Sequence, residues 1–169
     1  MILTERLIVR EFATSDITED YLSALNDKCL QKFSRNQYRT HSYQSSLEYL
    51  KSFAHTSNYF FAAVSSHNSS LIGTCTCFYT DFHRRYDIGM MILPQFHHCG
   101  YASELLNSVA RFLFATHDLI KITAGTPSTH KAMISVLRSS DFNLEAQIPN
   151  QFLTIDGDQL TVNYYARYS

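Results

Sequence analysis

The stretch Ile88-Gly89-Met90-Met91-Ile92-Leu93-Pro94-Gln95-Phe96-His97-His98-Cys99-Gly100-Tyr101-Ala102-Ser103-Glu104-Leu105-Leu106 joins an apolar strand to a helix through a turn. Pro94 ends the strand, and Gly100 and Ala102 keep side-chain bulk off the backbone where the helix starts. A helix start presents N–H groups without intrahelical acceptors at the positive end of the helix dipole, which suits a pyrophosphate. The same pattern also fits a plain strand-to-helix connector, so the motif by itself names no ligand.

Other reactive side chains are less specific. His97-His98-Cys99, with Cys75 and Cys77, offers imidazole and thiol ligands. Three contiguous side chains diverge, however, and Cys75-x-Cys77 puts two thiols on one face of a strand rather than in a metal knuckle. No metal is expected. His83-Arg84-Arg85 reads as a solvated turn or, beside a cleft, as a contact for an acceptor phosphate.

The elements that must position these residues follow from periodicity. Leu7 to Phe12 reads as a strand, and Asp16 as the cap of a helix running to about Leu25. Lys28 to Ser42 is irregular and polar; Ser45-x-x-Glu48 then offers a capping box for a helix to about Ala54. Tyr59–Val64 and Leu71–Tyr79 are β-rich runs joined by a polar loop, and Tyr86–Leu93 is the next strand. After the turn, Leu105, Leu106, Val109, Ala110, Phe112 and Leu113 form the stripe of a helix packed on a sheet. Lys121–Thr126 is a strand, Ser128 or Thr129 caps a helix to Ser140, and two closing strands flank the turn signal Asp156-Gly157. The order β-αα-βββ-α-β-α-ββ has no repeat or linker, and predicts an α/β fold with one mixed sheet and helices on both faces.

Bulk properties bound the function. A chain of 169 residues can bury about 70% of its unfolded surface without staples, so one domain over 1–169 is the simplest reading. Four cysteines are too few and too unevenly spaced for a secreted scaffold, and Glu5, Arg6, Arg10 and Glu11 interrupt any export signal; reduced thiols in the cytoplasm are expected. Thr56 to Thr80 is broken by polar residues and fails as a bilayer span, so a soluble protein with no membrane partner is expected. A net charge of -1 without a Lys/Arg run argues against nucleic acid.

That order, with the cradle between the fourth strand and the third helix, resembles the GNAT acetyltransferase superfamily. The opening Leu3-Thr4-Glu5-Arg6-Leu7-Ile8-Val9-Arg10 resembles its RimJ/RimL-like branch. Asp87-Ile88-Gly89 resembles the acidic-Ile-Gly of the family's fourth strand, and Gly100-Tyr101-Ala102-Ser103-Glu104 its pyrophosphate loop and helix start. The resemblance spans nearly the whole chain and implies a single N-acetyltransferase domain with a splayed central sheet. Leu25-Asn26-Asp27 and Ser34 to His41 are also similar to acetyltransferases found beside nucleotide-sugar biosynthesis enzymes.

The resemblance implies acetyl-CoA as donor and direct attack by an amine. Backbone N–H groups of His98, Cys99, Gly100, Tyr101 and Ala102 would receive the pyrophosphate. A free strand edge at Met91, Ile92 and Leu93 would receive the pantetheine, and an N–H near Met91 the developing oxyanion. Asp87 is the candidate base, against the plainer reading of an exposed Asp paired with Arg84 or Arg85; Glu104 is a second choice, although an acid in a first helical turn is favoured whatever the function.

The chain departs from the family pattern where His130 replaces a common Asn, and where Met133 and Leu137 stand in place of a hydroxyl residue or Tyr. His130 then contacts cofactor or substrate, or is simply solvated. Ser135 is out of register and Tyr164 and Tyr165 lie on the last strands, so the proton donor to the thiolate is unassigned. Arg35, Tyr38, Arg39 and His41 fall where such folds line the acceptor side, and suit a phosphorylated or acidic acceptor. The implied activity is acetylation of a primary amine on a small metabolite such as a nucleotide-linked amino sugar. A protein N-terminal amine is the alternative acceptor, and a catalytically inactive CoA-binding module the alternative class. A homodimer is compatible with such a domain.

Overall fold

Backbone pairing in the computed structural model, which describes residues 1–169, forms one eight-stranded sheet. The strands are β1 (Ile2–Leu3), β2 (Leu7–Glu11), β3 (Tyr59–Ser65), β4 (Leu71–Thr80), β5 (Arg85–Ile92), β6 (Lys121–Pro127), β7 (Asn143–Leu153) and β8 (Gln159–Tyr168). Their spatial order is β1-β2-β3-β4-β5-β6-β8-β7. Only β5 and β6 run parallel; every other neighbouring pair is antiparallel. The predicted order of elements holds, with one addition. β1 is a two-residue strand too short to leave a periodic signal.

The helices α1 (Glu19–Asn26), α2 (Tyr43–Lys51), α3 (Tyr101–Thr116) and α4 (Lys131–Ser139) cover the sheet. On one side, Leu105, Leu106, Val109, Ala110 and Leu113 of α3 and Leu137 of α4 join the larger core with Tyr86, Ile88 and Ile122. On the other, Tyr21 and Leu25 of α1 meet Phe12, Phe60, Ala62 and Val64, with Leu47, Leu50 and Phe53 at the margin. Each fully buried Leu contributes about 1.5–3 kcal/mol relative to exposure, so these stripes fix which faces the helices turn inward. No helix is long and apolar enough to cross a membrane.

Three caps differ from the sequence reading. Asp16 does not cap α1: its carboxylate receives both Arg10 terminal nitrogens (2.7 and 2.8 Å) and the Ala13 N–H, and Thr18 caps the helix instead. The capping box of α2 is Ser42 with Ser45, one turn before Ser45-x-x-Glu48. β6 runs on to Pro127 and displaces the start of α4, leaving His130 at the cap position without a side-chain cap bond. Lys28 to Ser42 forms two 3-10 turns, Leu30–Phe33 and Arg35–Tyr38. The hairpin of β7 and β8 closes at Gly157, whose φ of +91° explains the glycine there.

Candidate active site

A gap opens in the middle of the sheet. β5 and β6 pair at Arg85–Lys121, Tyr86–Ile122 and Asp87–Thr123 and nowhere beyond, although β5 continues to Ile92 and β6 to Pro127. Successive strand residues turn their N–H and C=O groups to opposite edges. The Leu93 N–H donates to Ile72 O on the β4 side, and the β4–β5 register is regular. Met91 and Leu93 therefore point their backbone groups into the β4 ladder, whereas Met90 and Ile92 turn theirs to the gap. Of the expected edge residues Met91, Ile92 and Leu93, only Ile92 presents its backbone there. The Met91 side chain points to the α1 side, its sulfur 3.1 Å from the Gln31 amide nitrogen.

The cradle lies where β5 ends. Pro94–Phe96 makes a 3-10 turn, and the His97 ring nitrogen Nε2 lies 2.8 Å from Ile92 O. Gly100 caps α3 in the left-handed conformation, φ +81°. The backbone N–H groups of His98, Cys99, Gly100, Tyr101, Ala102 and Ser103 have no acceptor within the chain. That run of six free donors stands at the positive end of a 16-residue helix.

Glu104 is committed elsewhere. Its Oε1 accepts from Thr4 Oγ1 (2.6 Å) and the Arg6 N–H (2.9 Å), and its Oε2 from Arg6 Nε (2.8 Å). Burial alone would push this carboxyl up; the bonds from Thr4 and Arg6 outweigh that and hold it below the ordinary range. An acid so engaged is a poor base, which overturns the second choice made from sequence. The opening motif also holds the cradle from below, through a contact that spans 98 residues and leaves no local trace in the sequence.

Asp87 stands at the last rung before the gap. It makes no ion pair: Arg84 pairs with Asp118, and the Asp87 Oδ1 accepts from Thr123 Oγ1 at 2.8 Å. Water reaches the carboxyl from the cleft, but protein crowds it. Desolvation raises its pKa above the usual carboxylate value, against the Thr123 hydrogen bond and the charges of Arg85 and Arg35. Of the plainer reading of an exposed, Arg-paired Asp, the exposure holds and the pairing does not.

The acceptor-side residues divide. Arg35 lies close enough for its charge to act on Asp87. Tyr38 and Arg39 instead line a pocket of about 420 Å³ with Asn26, Asp27, Lys28, Gln37 and Ile155. His41 holds α1 through main-chain bonds with Asn26. His130 is half-buried rather than solvated; its ring packs on Phe33 at 4.6 Å, its Nδ1 lies 3.2 Å from Thr126 Oγ1, and burial lowers its pKa. Met133 and Leu137 are core side chains, and Tyr165 is buried. Ser135 faces outward on α4, and Tyr164 packs against Gly125. Cys75 and Cys77 are buried with sulfurs 4.0 Å apart, and Cys99 is exposed.

Known proteins share this architecture. A family model described as an acetyltransferase (GNAT) domain matches residues 6–143. No curated protein matches the sequence. Among solved structures, a GNAT-family acetyltransferase from Bacillus anthracis superposes with a TM-score of 0.86 at 19% identity, over 99% of this chain and 97% of that one. A spermidine N-acetyltransferase from Vibrio cholerae, solved with CoA and spermine, gives 0.87 at 17% over 98% and 96%. RimL, a ribosomal L7/L12 α-N-protein acetyltransferase solved with CoA, gives 0.86 at 18% over 98% and 95%. The family match covers most of the chain and includes the splayed strands, the cradle and Asp87: this chain belongs to the GNAT acetyltransferase family.

Proposed function

We propose that the chain uses acetyl-CoA to acetylate a primary amine on an anionic small metabolite, of which a nucleotide-linked amino sugar is the type. The donor site rests on the free N–H groups from His98 to Ser103 beside the unpaired edge of β5. A pyrophosphate fits these donors, because Gly100 has no Cβ and the helix dipole is positive there. Extended amides fit the edge at Met90 and the Ile92 N–H as an added strand would, the Ile92 carbonyl being already met by His97.

Acetyl-CoA supplies an acetyl thioester open to direct attack by an amine. Asp87 takes the proton of the attacking amine, which is mostly protonated at neutral pH in the absence of a base. Its Oδ1 is held by Thr123, and Oδ2, which has no partner in the chain, is the oxygen that would take the proton. The N–H groups of Met90 and Ile92, turned to the gap, would serve as donors to the developing oxyanion. His130, neutral and half-buried at the start of α4, lies at the β6 side of the gap as a cofactor contact.

One observation carries the acceptor class. Residues 28–41 hold Lys28, Lys32, Arg35 and Arg39 and no Asp or Glu; Arg35 acts on Asp87, and Lys28 and Arg39 outnumber the one acid, Asp27, in the lining of the pocket beside Tyr38. Cations there repel a polyamine and attract phosphate or carboxylate. Steady-state turnover of acetyl-CoA with a nucleotide-linked amino sugar, spermidine and an N-terminal peptide tests this. The highest kcat/KM is expected for the amino sugar. Preference for spermidine refutes the charge argument, preference for the peptide favours a protein acceptor, and CoA binding without turnover of any amine favours an inactive module.

A further inference from the structure

Arg6 lies in the turn between β1 and β2, yet its guanidinium reaches the cradle at three positions. Nη1 donates to the Cys99 carbonyl at 2.9 Å, Nε and Nη2 hold Glu104 Oε2 at 2.8 and 2.7 Å, and the group lies 4.5 Å from the Tyr101 ring centroid. The other Glu104 oxygen is taken by Thr4 Oγ1 and the Arg6 N–H, so the fork cannot pivot about its partner. A trans peptide points its C=O and N–H in opposite directions. Drawing the Cys99 carbonyl toward Arg6 therefore turns the Gly100 N–H away from Arg6, to the open side of the cradle. Gly100 is also where this packing is tightest: a Cβ there would stand 3.4 Å from Arg6 Nη2, on backbone already at φ +81°.

We infer that Arg6, locked by Glu104 and Thr4, is a positioning residue that sets the direction of the Gly100 N–H for an anionic ligand. It acts through the Cys99–Gly100 peptide, with its own charge occupied by Glu104. The role rests on the donor-site reading proposed above.

Glu104→Gln separates this role from simple charge. Removing a carboxylate beside an anion site strengthens anion binding if only Coulomb attraction matters, and weakens it if the carboxylate holds the strut. Calorimetric titration of CoA into the wild-type chain, Glu104→Gln and Arg6→Lys should show both variants weakened about 10- to 100-fold, the worth of a misdirected hydrogen bond to a charged group. The KM of acetyl-CoA should rise in parallel, with kcat at saturating acetyl-CoA and the KM of the amine unchanged. Glu104→Gln binding CoA as tightly as wild type, or more tightly, overturns the role. If either variant unfolds, Thr4→Val removes one bond to Glu104 and no charge; unchanged CoA affinity there overturns the role as well. A wild-type chain that binds no CoA withdraws the donor site and the positioning role with it, whereas tight wild-type binding with unaffected variants withdraws the positioning role alone.

Discussion

Asp87→Asn should slow the enzyme and stabilise the fold at the same time. The amide keeps the size of the carboxyl, and its oxygen still accepts from Thr123 Oγ1, so the last rung of the β5–β6 pairing is preserved. What is lost is the capacity to take a proton. A positioned carboxylate base contributes about 10²–10⁴-fold, or about 2.7–5.4 kcal/mol of barrier, and kcat should fall within that range. The wild-type rate should drop as pH falls through the raised pKa of Asp87, and the variant should lack that acid limb. Stability moves the other way. The crowded carboxyl binds its proton more tightly folded than unfolded, so the ionised form costs folding energy above its folded pKa, and the cost vanishes below the unfolded one. Asn carries no such cost. Urea unfolding at about pH 7 should find the variant more stable than wild type, and the difference should fade toward acid. A kcat within about threefold of wild type refutes the base; a variant less stable at neutral pH refutes the desolvation argument.

Three further outcomes are expected. Gly73→Ala puts a Cβ 2.3 Å from Met91 O and 2.8 Å from the Ile92 side chain, so β5 must move; urea unfolding should show a loss of about 1–3 kcal/mol, and an unchanged midpoint contradicts the β4–β5 register. Cys29 and Cys99 are the exposed thiols, and acetyl-CoA should slow alkylation of Cys99 while leaving Cys29 alone, as read by peptide mass spectrometry; equal rates at Cys99 with and without acetyl-CoA speak against the cradle. Thr123→Val removes a bond that lowers the Asp87 pKa, so the acid limb of the rate profile should shift to higher pH, and a shift to lower pH contradicts the assigned hydrogen bond.

What the sequence disclosed and what it hid divide along contact range. The apolar run of β5, Pro94, and the small residues before α3 each act on their immediate neighbours, and the strand, turn and helix stand where the pattern places them. Asp16 misled because an Asp before a helix is an ordinary cap; only the fold brings Arg10 onto it. Glu104 misled in the same way, since Thr4 and Arg6 arrive from the far end of the chain. Met133 and Leu137 were departures from a family pattern, and prove to be filling for the core beneath α4. Arg35 and Arg39 are four residues apart and face different surroundings, because the 3-10 turn Arg35–Tyr38 redirects the chain between them.

The brief pairing of β5 with β6 also bears on how the molecule comes apart. Three rungs, extended by the Ile120 N–H on Arg84 O, are the backbone pairing between the strands β1 to β5 and the strands β6 to β7. The other joints are the shared core, where Ile122, Leu137 and Tyr165 meet Tyr86 and α3, and polar or ring contacts such as Thr123 on Asp87, His130 on Phe33, Arg167 on Asn107 and the Ile155 N–H on Gln37. A seam with so few backbone hydrogen bonds is where partial opening is expected first, and native-state hydrogen exchange should show β6, α4, β8 and β7 loosening as one unit before the rest. A ligand lying in the gap touches both sides of the seam and is bound only while they are together. It therefore serves as mortar, and the two halves become one cooperative unit when the gap is filled.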